Sequence, residues 1–350
     1  MMTMSSRCFV PGTGLLLSLG LAMTLAACGG GGSSGSGGTP APPPPPPDAR
    51  NGSYTLYATT GERFTLALDF DNSTFSVGGA QTSVATINQS GTIGPDGSTG
   101  SYLFKGAAGT GANTRFRYVD DLIVGAFAFE NVVQPFVAAR NFAKATSAAT
   151  GSYSMFGINR TNGVGDSRIY SLRINPNATM DVCNDNTIFA IANCPTASVL
   201  GYTLTLSGDL FTATRVGNTA DSFSFRIAKA GSESIYLYGG INAAAGTRFF
   251  RIGLNEARAF GTGTAIGGTT LGEWGTAQYT ATSYSSSGVA LDGHAINLSG
   301  PLSTLGTSSP LNMRILQAGG SAFAMQNAQL GILLGARNGT GAGYMQIGAR

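Results

Sequence analysis

The chain has 350 residues, a formal net charge of +3, 11% charged side chains and 52 glycines. A balance this close to neutral names no partner: Lys and Arg are scattered, form no stripe interleaved with aromatics, and give nucleic-acid binding no electrostatic basis. Few charges with many Gly, Ser, Thr and Asn residues fit an exported β-rich protein, whose turns consume Gly and Asn, better than a cytosolic enzyme.

Residues 1–27 read as a cleaved export signal. Arg7 supplies the positive start, and Leu15 to Ala27 is apolar apart from Ser18, Gly20 and Thr24. Small residues flank the expected cut. The apolar run is shorter than the ~20 residues a membrane-spanning helix needs. Its last residues, Leu25-Ala26-Ala27-Cys28, resemble the lipobox of bacterial lipoproteins. That resemblance implies that the Cys28 thiol receives a diacylglycerol, that the peptide before it is removed, and that the new amine is acylated. More than one acyl chain is what stable anchoring needs. Gly29 after the cysteine is similar to the outer-membrane pattern, whereas Asp there marks inner-membrane retention. The resemblance thus implies a lipid-anchored protein of the outer membrane, with Cys28 as its membrane contact.

Residues 28–50 form the lipidated cysteine and a tether without a core. Gly29 to Gly38 is almost pure Gly and Ser, and Pro40 to Pro47 is nearly all proline. A flexible coil followed by a polyproline stretch reaches about 40 Å. The roughly 300 residues beyond suit two or three domains.

From residue 51 onward, period-2 alternation dominates. Tyr54, Leu56 and Ala58 share one strand face, as do Phe64, Leu66, Leu68 and Phe70. Phe116 with Tyr118, Tyr202 with Leu204 and Leu206, and Phe223 with Phe225 and Ile227 repeat the pattern. Each such strand offers one apolar and one polar face. Turns such as Pro95-Asp96-Gly97, Asn162-Gly163, Asp292-Gly293 and Asn338-Gly339 separate them. One short helix is expected within the Ala-rich stretch Val137 to Ala149.

The pattern repeats at ~100 residues. Gly52-Ser53-Tyr54 opens one unit and Gly151-Ser152-Tyr153 the next. A closing hairpin recurs three times: Leu122 to Ala126 with Phe136 to Ala139, Leu237 to Gly240 with Phe249 to Gly253, and Leu333 to Ala336 with Tyr344 to Gly348. The units are 51–150, 151–259 and 260–350, the third lacking a clear opening signal. Each has room for about seven or eight short strands. The expected fold class is all-β, with tandem antiparallel β-barrel or β-sandwich-like units; a β-propeller or two long sheets shared by all units are the alternatives. A membrane-spanning barrel is disfavoured, because a lipid anchor would be redundant and the chain ends in Arg350 rather than an aromatic.

Cys183 and Cys194 are the remaining cysteines after Cys8 and Cys28, and an even pair in an oxidising compartment reads as a disulfide. The rival metal site lacks ligands, since the single histidine, His294, lies far along the chain in a turn. Asp120-Asp121 and the run Asp181 to Asn186 are the densest acidic spots; the second has oxygens at a spacing suited to a hard cation, but a polar turn closed by the disulfide is the expected reading. Glu62, Asp69, Asp71 and Glu273 are the carboxylates from which a glycoside-hydrolase pair would have to be drawn. Gly261-Thr262-Gly263 and Gly339-Thr340-Gly341 read as turns, not phosphate loops, for neither leads into a helix or carries the required Lys. Trp274, Tyr279 and Tyr284 would suit a sugar or peptide groove, although core packing is the expected role for the Trp. No cofactor is implied. The expectation is a non-enzymatic binding or structural protein of the envelope whose partner is an envelope protein, a glycan or a host molecule. The alternative is a hydrolase of envelope polymers using a carboxylate pair.

Overall fold

The computed structural model describes residues 44–82, 87–97, 99–106, 114–129, 132–185, 187–290, 293–317, 321–336 and 341–350. The signal, Cys28 and most of the tether lie outside them, as do Asp292, Asn186, Asn338, Gly339 and Thr340. Pro47 to Arg350 forms one compact unit.

That unit contains three closed barrels of eight antiparallel strands each, connected as meanders. The first runs β1 (Gly52–Ala58), β2 (Arg63–Asp69), β3 (Thr74–Thr82), β4 (Gln89–Asp96), β5 (Ser101–Lys105), β6 (Arg115–Val119), β7 (Leu122–Phe129) and β8 (Val132–Ala139). A single turn of helix, α1 (Thr146–Ala149), precedes the second. That barrel runs β9 (Gly151–Thr161), β10 (Val164–Ile174), β11 (Thr179–Cys183), β12 (Val199–Ser207), β13 (Leu210–Arg215), β14 (Asn218–Ala230), β15 (Glu233–Asn242) and β16 (Thr247–Asn255). The third runs β17 (Gly263–Thr269), β18 (Trp274–Tyr279), β19 (Ser283–Val289), β20 (Ala295–Ser303), β21 (Met313–Gln317), β22 (Ser321–Gln326), β23 (Leu330–Gly335) and β24 (Met345–Ala349). Last strands pair with first ones: Leu56 opposite Ala138, Phe156 opposite Ile252, Gly267 opposite Gly348. Closure removes the exposed edges that an open sheet would carry.

The alternating apolar faces fill the barrel interiors. Tyr54, Leu56, Phe64, Leu66, Leu68 and Phe116 belong to the core of the first barrel. Leu204, Phe225 and Ile227 belong to that of the second. The outward positions of β12, β13 and β14 include Ser and Thr, some of which pair across strands: Thr212 with Ser224 at 3.0 Å, Thr214 with Ser222 at 3.3 Å. Where Ser and Thr face out and the apolar side faces in, the order is the inverse of a membrane-spanning barrel's. Among the described residues no helix is long and apolar enough to cross a membrane.

The repeated Gly-Ser-Tyr has a local cause. In both the first and the second unit the tyrosine ring enters the barrel core and its hydroxyl donates to the carbonyl four residues back: Tyr54 to Arg50 at 2.6 Å, Tyr153 to Ala149 at 2.8 Å. The tyrosine thereby fixes where the incoming chain joins the barrel. The third unit repeats a different element. Thr269-Thr270-Leu271-Gly272-Glu273 turns from β17 to β18 as Ala58-Thr59-Thr60-Gly61-Glu62 turns from β1 to β2. Glu62 accepts from Thr60 (3.0 Å), and Glu273 from Thr269 (2.9 Å).

The closing hairpins are apolar on both faces, and the structure shows why. Every residue of β7, β23 and β24 is buried. One face lines its own barrel. The other enters a shared core, in which Tyr57, Val124 and Val137 of the first barrel meet Phe156, Leu237 and Ile252 of the second and Ile332, Leu334 and Ile347 of the third. Trp274 packs with Ala126, Ala128 and Val133 between the first and third barrels.

Polar side chains cap this junction at both ends. At one end Gln134, 3% exposed, accepts from Thr59 (3.2 Å) and from Arg160 (2.8 Å) and donates to the Thr270 carbonyl (2.9 Å), joining all three barrels. At the other, Gln329 donates to Asp120 at 2.5 Å.

Candidate binding site in the second barrel

The three interiors are filled differently. Phenylalanines occupy the first barrel wall to wall, with ring centroids 4.7 Å apart for Phe104 and Phe116 and 4.8 Å for Phe75 and Phe104. Phe260, Tyr279 and Tyr284 pack edge to face within the third. The second leaves a cavity of about 280 Å³.

Its wall comes from alternate residues of successive strands. Met155 on β9, Tyr170 and Leu172 on β10, Val182 on β11, and Leu200 and Tyr202 on β12 form one side. Phe223 on β14, Tyr236 and Tyr238 on β15, and Arg251 on β16 form the other, with Asn184 and Asp221 adding polar groups. Small inward residues make the room. A Cβ on Gly157 would lie 2.3 Å from Arg251 Cδ, so only glycine at that position admits the arginine.

Arg251 is 8% exposed. Its guanidinium donates to the carbonyls of Ile158 (3.0 Å) and Phe250 (2.7 Å) and to the Asn159 side chain. Its carbon centre lies 5.5 Å from the Tyr170 ring centroid, within cation–π range. Burial pulls its pKa down, and the nearby tyrosines oppose that fall. An arginine so placed stays charged, because its ordinary value lies far above neutrality.

Burial pushes the Tyr236 hydroxyl well above its ordinary pKa. It also raises Tyr238, against the pull of Arg251. Tyr202 is pushed up to about 12, by burial first and by Asp221 second. All three are neutral donors near pH 7. Tyr202 donates to Asp221 (3.3 Å), whose same oxygen lies 3.5 Å from Arg215. The cavity therefore combines aromatic faces, neutral hydroxyls and one fixed positive charge. That set suits a flat, partly apolar ring bearing hydrogen-bond acceptors.

Of the residues singled out in the sequence, Val182 and Asn184 of the Asp181 to Asn186 run, Tyr202 and Phe223 line the cavity; the others lie elsewhere. Cys183 and Cys194 form a disulfide. The segment it closes lies along β10, where Ser171 donates to the Phe189 carbonyl, and reaches the third barrel, where the Ala190 amide donates to the Ser308 carbonyl at 2.7 Å. Asp181 pairs with Arg173 at 2.8 Å, and Asp185 accepts from the Thr187 amide and the Ser198 hydroxyl. Among the described residues no three His, Cys, Asp or Glu side chains gather as a metal site requires.

Asp120 and Asp121 form the β6–β7 turn, Asp121 pairing with Arg140. Glu62 and Glu273 are buried in their two separate turns. Asp69 holds Asn72, and Asp71 holds Asn51 and the Asp48 amide. Trp274 is core, 4% exposed, and Tyr279 and Tyr284 lie inside the third barrel. Gly261 and Thr262 accept hydrogen bonds from Gln326 and Arg350 on the way into β17. His294 is exposed in the β19–β20 hairpin.

Local sequence pattern does not mark Tyr170, Tyr236, Tyr238 and Arg251 as cavity residues. Their signal was weak: tyrosines instead of phenylalanines at inward positions, and a lone Arg inside the apolar run Phe249 to Leu254. No known protein family matches this chain, and neither does any curated protein or solved structure.

Proposed function

We propose that the protein is an outer-membrane lipoprotein, held by acylated Cys28, whose three-barrel body is a non-enzymatic binding module of the cell envelope. The lipobox-like Leu25 to Cys28 and the Gly/Ser/Pro tract behind it support the anchor. The observation that carries the binding role is the aromatic cavity of the second barrel with Arg251 in its wall. The ligand class we assign is a small ring, a sugar unit of an envelope glycan or a compound of similar shape, stacked on Tyr or Phe and hydrogen-bonded to phenol hydroxyls. Binding is favoured over polymer hydrolysis because, among the described residues, Asp221 is the one carboxylate in that lining, and glycoside hydrolysis ordinarily takes two.

Two experiments test the two halves. The wild-type protein takes up labelled palmitate in cells and the Cys28→Ser protein does not; equal labelling of both proteins, or none of either, removes the anchor. Envelope glycan fragments titrated onto the full chain give saturable binding that Val182→Trp, which fills the cavity, abolishes while the far-ultraviolet spectrum is retained. Binding untouched by Val182→Trp would show that the cavity is not the site.

A further inference from the structure

A second cleft lies outside the barrels, where the first meets the second. It measures about 530 Å³. Phe129, Val132 and Gln134 of the first barrel line one side; Arg160, Asn162 and Arg248 of the second line the other. Arg160 on β9 and Arg248 on β16 are directly opposite in the strand register.

The head of Arg160 is fixed but under-used. Among the described residues it makes one hydrogen bond, to Gln134, and its Nε is shielded from water without a partner. A guanidinium carries five N–H donors in a planar fork matched to a carboxylate, sulfate or phosphate. Burial, and then the charge of Arg248, pull its pKa down, so the cation here is held in an unfavourable setting. An anion in the cleft would stabilise the Arg160 cation. Gln134 prevents the fork from swinging away, because it is itself tied to Thr59 and Thr270. On the opposite wall Val132 is 52% exposed, an apolar surface with no cover. The volume is far larger than an inorganic ion needs and falls in the range of small-molecule sites.

We propose that this cleft binds a small organic anion, its carboxylate, sulfate or phosphate group on the Arg160 guanidinium beside Arg248 and its apolar part against Phe129 and Val132. The site is independent of the cavity inside the second barrel and does not rest on the function proposed for it.

The test titrates the full chain by calorimetry with benzoate, phenyl phosphate, inorganic sulfate and benzyl alcohol, at ionic strength held constant with chloride. Saturable binding is expected for benzoate and phenyl phosphate, weaker binding for sulfate, and none for the neutral alcohol. Arg160→Gln should weaken the organic anions by at least about tenfold, the loss of a charge-assisted bidentate contact. Asn162→Asp, at an exposed position in the same lining, adds a negative charge to the cleft without removing any packing, and should weaken them similarly. Arg173→Gln, whose side chain pairs with Asp181 on β11, should change nothing. The proposal is overturned if neither organic anion saturates, if benzyl alcohol binds as well as benzoate, or if Asn162→Asp leaves the affinity intact. Anion binding lost in Val182→Trp but kept in Asn162→Asp belongs to the barrel cavity and also overturns it.

Discussion

Gly61 shows how a single residue positions two barrels. It turns the chain from β1 to β2 at φ +89°, and a Cβ there would lie 2.9 Å from both the Gly240 carbonyl and the Phe249 amide of the second barrel. Gly61→Ala meets backbone strain and a collision together, and should cost about 1–3 kcal/mol in urea unfolding. Gly217→Ala, at φ +79° with open space around it, isolates the strain and should cost less. Asp48 supplies a pH-dependent contact of another kind. Arg50, bonded to it by side chain and backbone, holds its carboxyl at about 2, against 3.8 for the unperturbed group. A depressed carboxyl stabilises the folded state above its unfolded value, and that contribution disappears as pH falls through the folded one. The clasp of Arg50 on Phe70 and Tyr102, with the Arg50 carbon centre 3.9 Å from the Phe70 centroid, should therefore hold at pH 5 and loosen between about pH 4 and pH 2. Amide exchange of residues 48–54 reads this directly, and no loosening in that window would refute it.

Among elements, the segment closed by Cys183–Cys194 joins two barrels. Besides the Ala190–Ser308 bond, Ser309 donates to the Ile188 carbonyl, and Glu256 at the end of β16 receives the Ile191 amide at 2.9 Å. Opening a cross-link that spans 11 positions releases chain entropy worth about 2–3 kcal/mol. Cys183→Ser/Cys194→Ser should lose about that much in guanidinium unfolding, with faster amide exchange at Ile188 to Ile191 and around Ser308. Protection unchanged in the third barrel would mean that the segment does not couple the two. The closing hairpins act at the same scale. Sequences such as Leu330 to Gly335 are apolar at successive positions, as strands buried on both faces must be.

For the whole molecule, the shared core makes the barrels interdependent. Each contributes outward apolar residues that would face water if it stood alone. Unfolding should accordingly be one cooperative transition. Trp274 fluorescence reports the contact between the first and third barrels, and exchange at Leu237 reports the second; the two midpoints should coincide. Leu237→Ala, at a fully buried junction position, should lower that single midpoint by an amount corresponding to about 2–5 kcal/mol. Three separable transitions would contradict the interdependence.

Local alternation was enough to read the strands, because a period of two assigns the faces of Phe64, Leu66 and Leu68 without reference to anything distant. The same holds for the three hairpins and for the cysteine pair, whose partners are near in sequence. The opening of the third unit was legible only in retrospect, since its signal is a turn, Thr269 to Glu273, and not the Gly-Ser-Tyr of the other two. Barrel closure, the three-way core and both candidate sites were decided by tertiary structure alone. Arg160 at the end of a strand reads as a solvated charge until Gln134, 26 residues earlier, covers it. Arg251 reads as a break in an apolar run until Gly157, on the neighbouring strand, leaves room for it. Which face of a strand is apolar follows from its own residues; what an outer face or a strand end lies against depends on segments elsewhere in the chain.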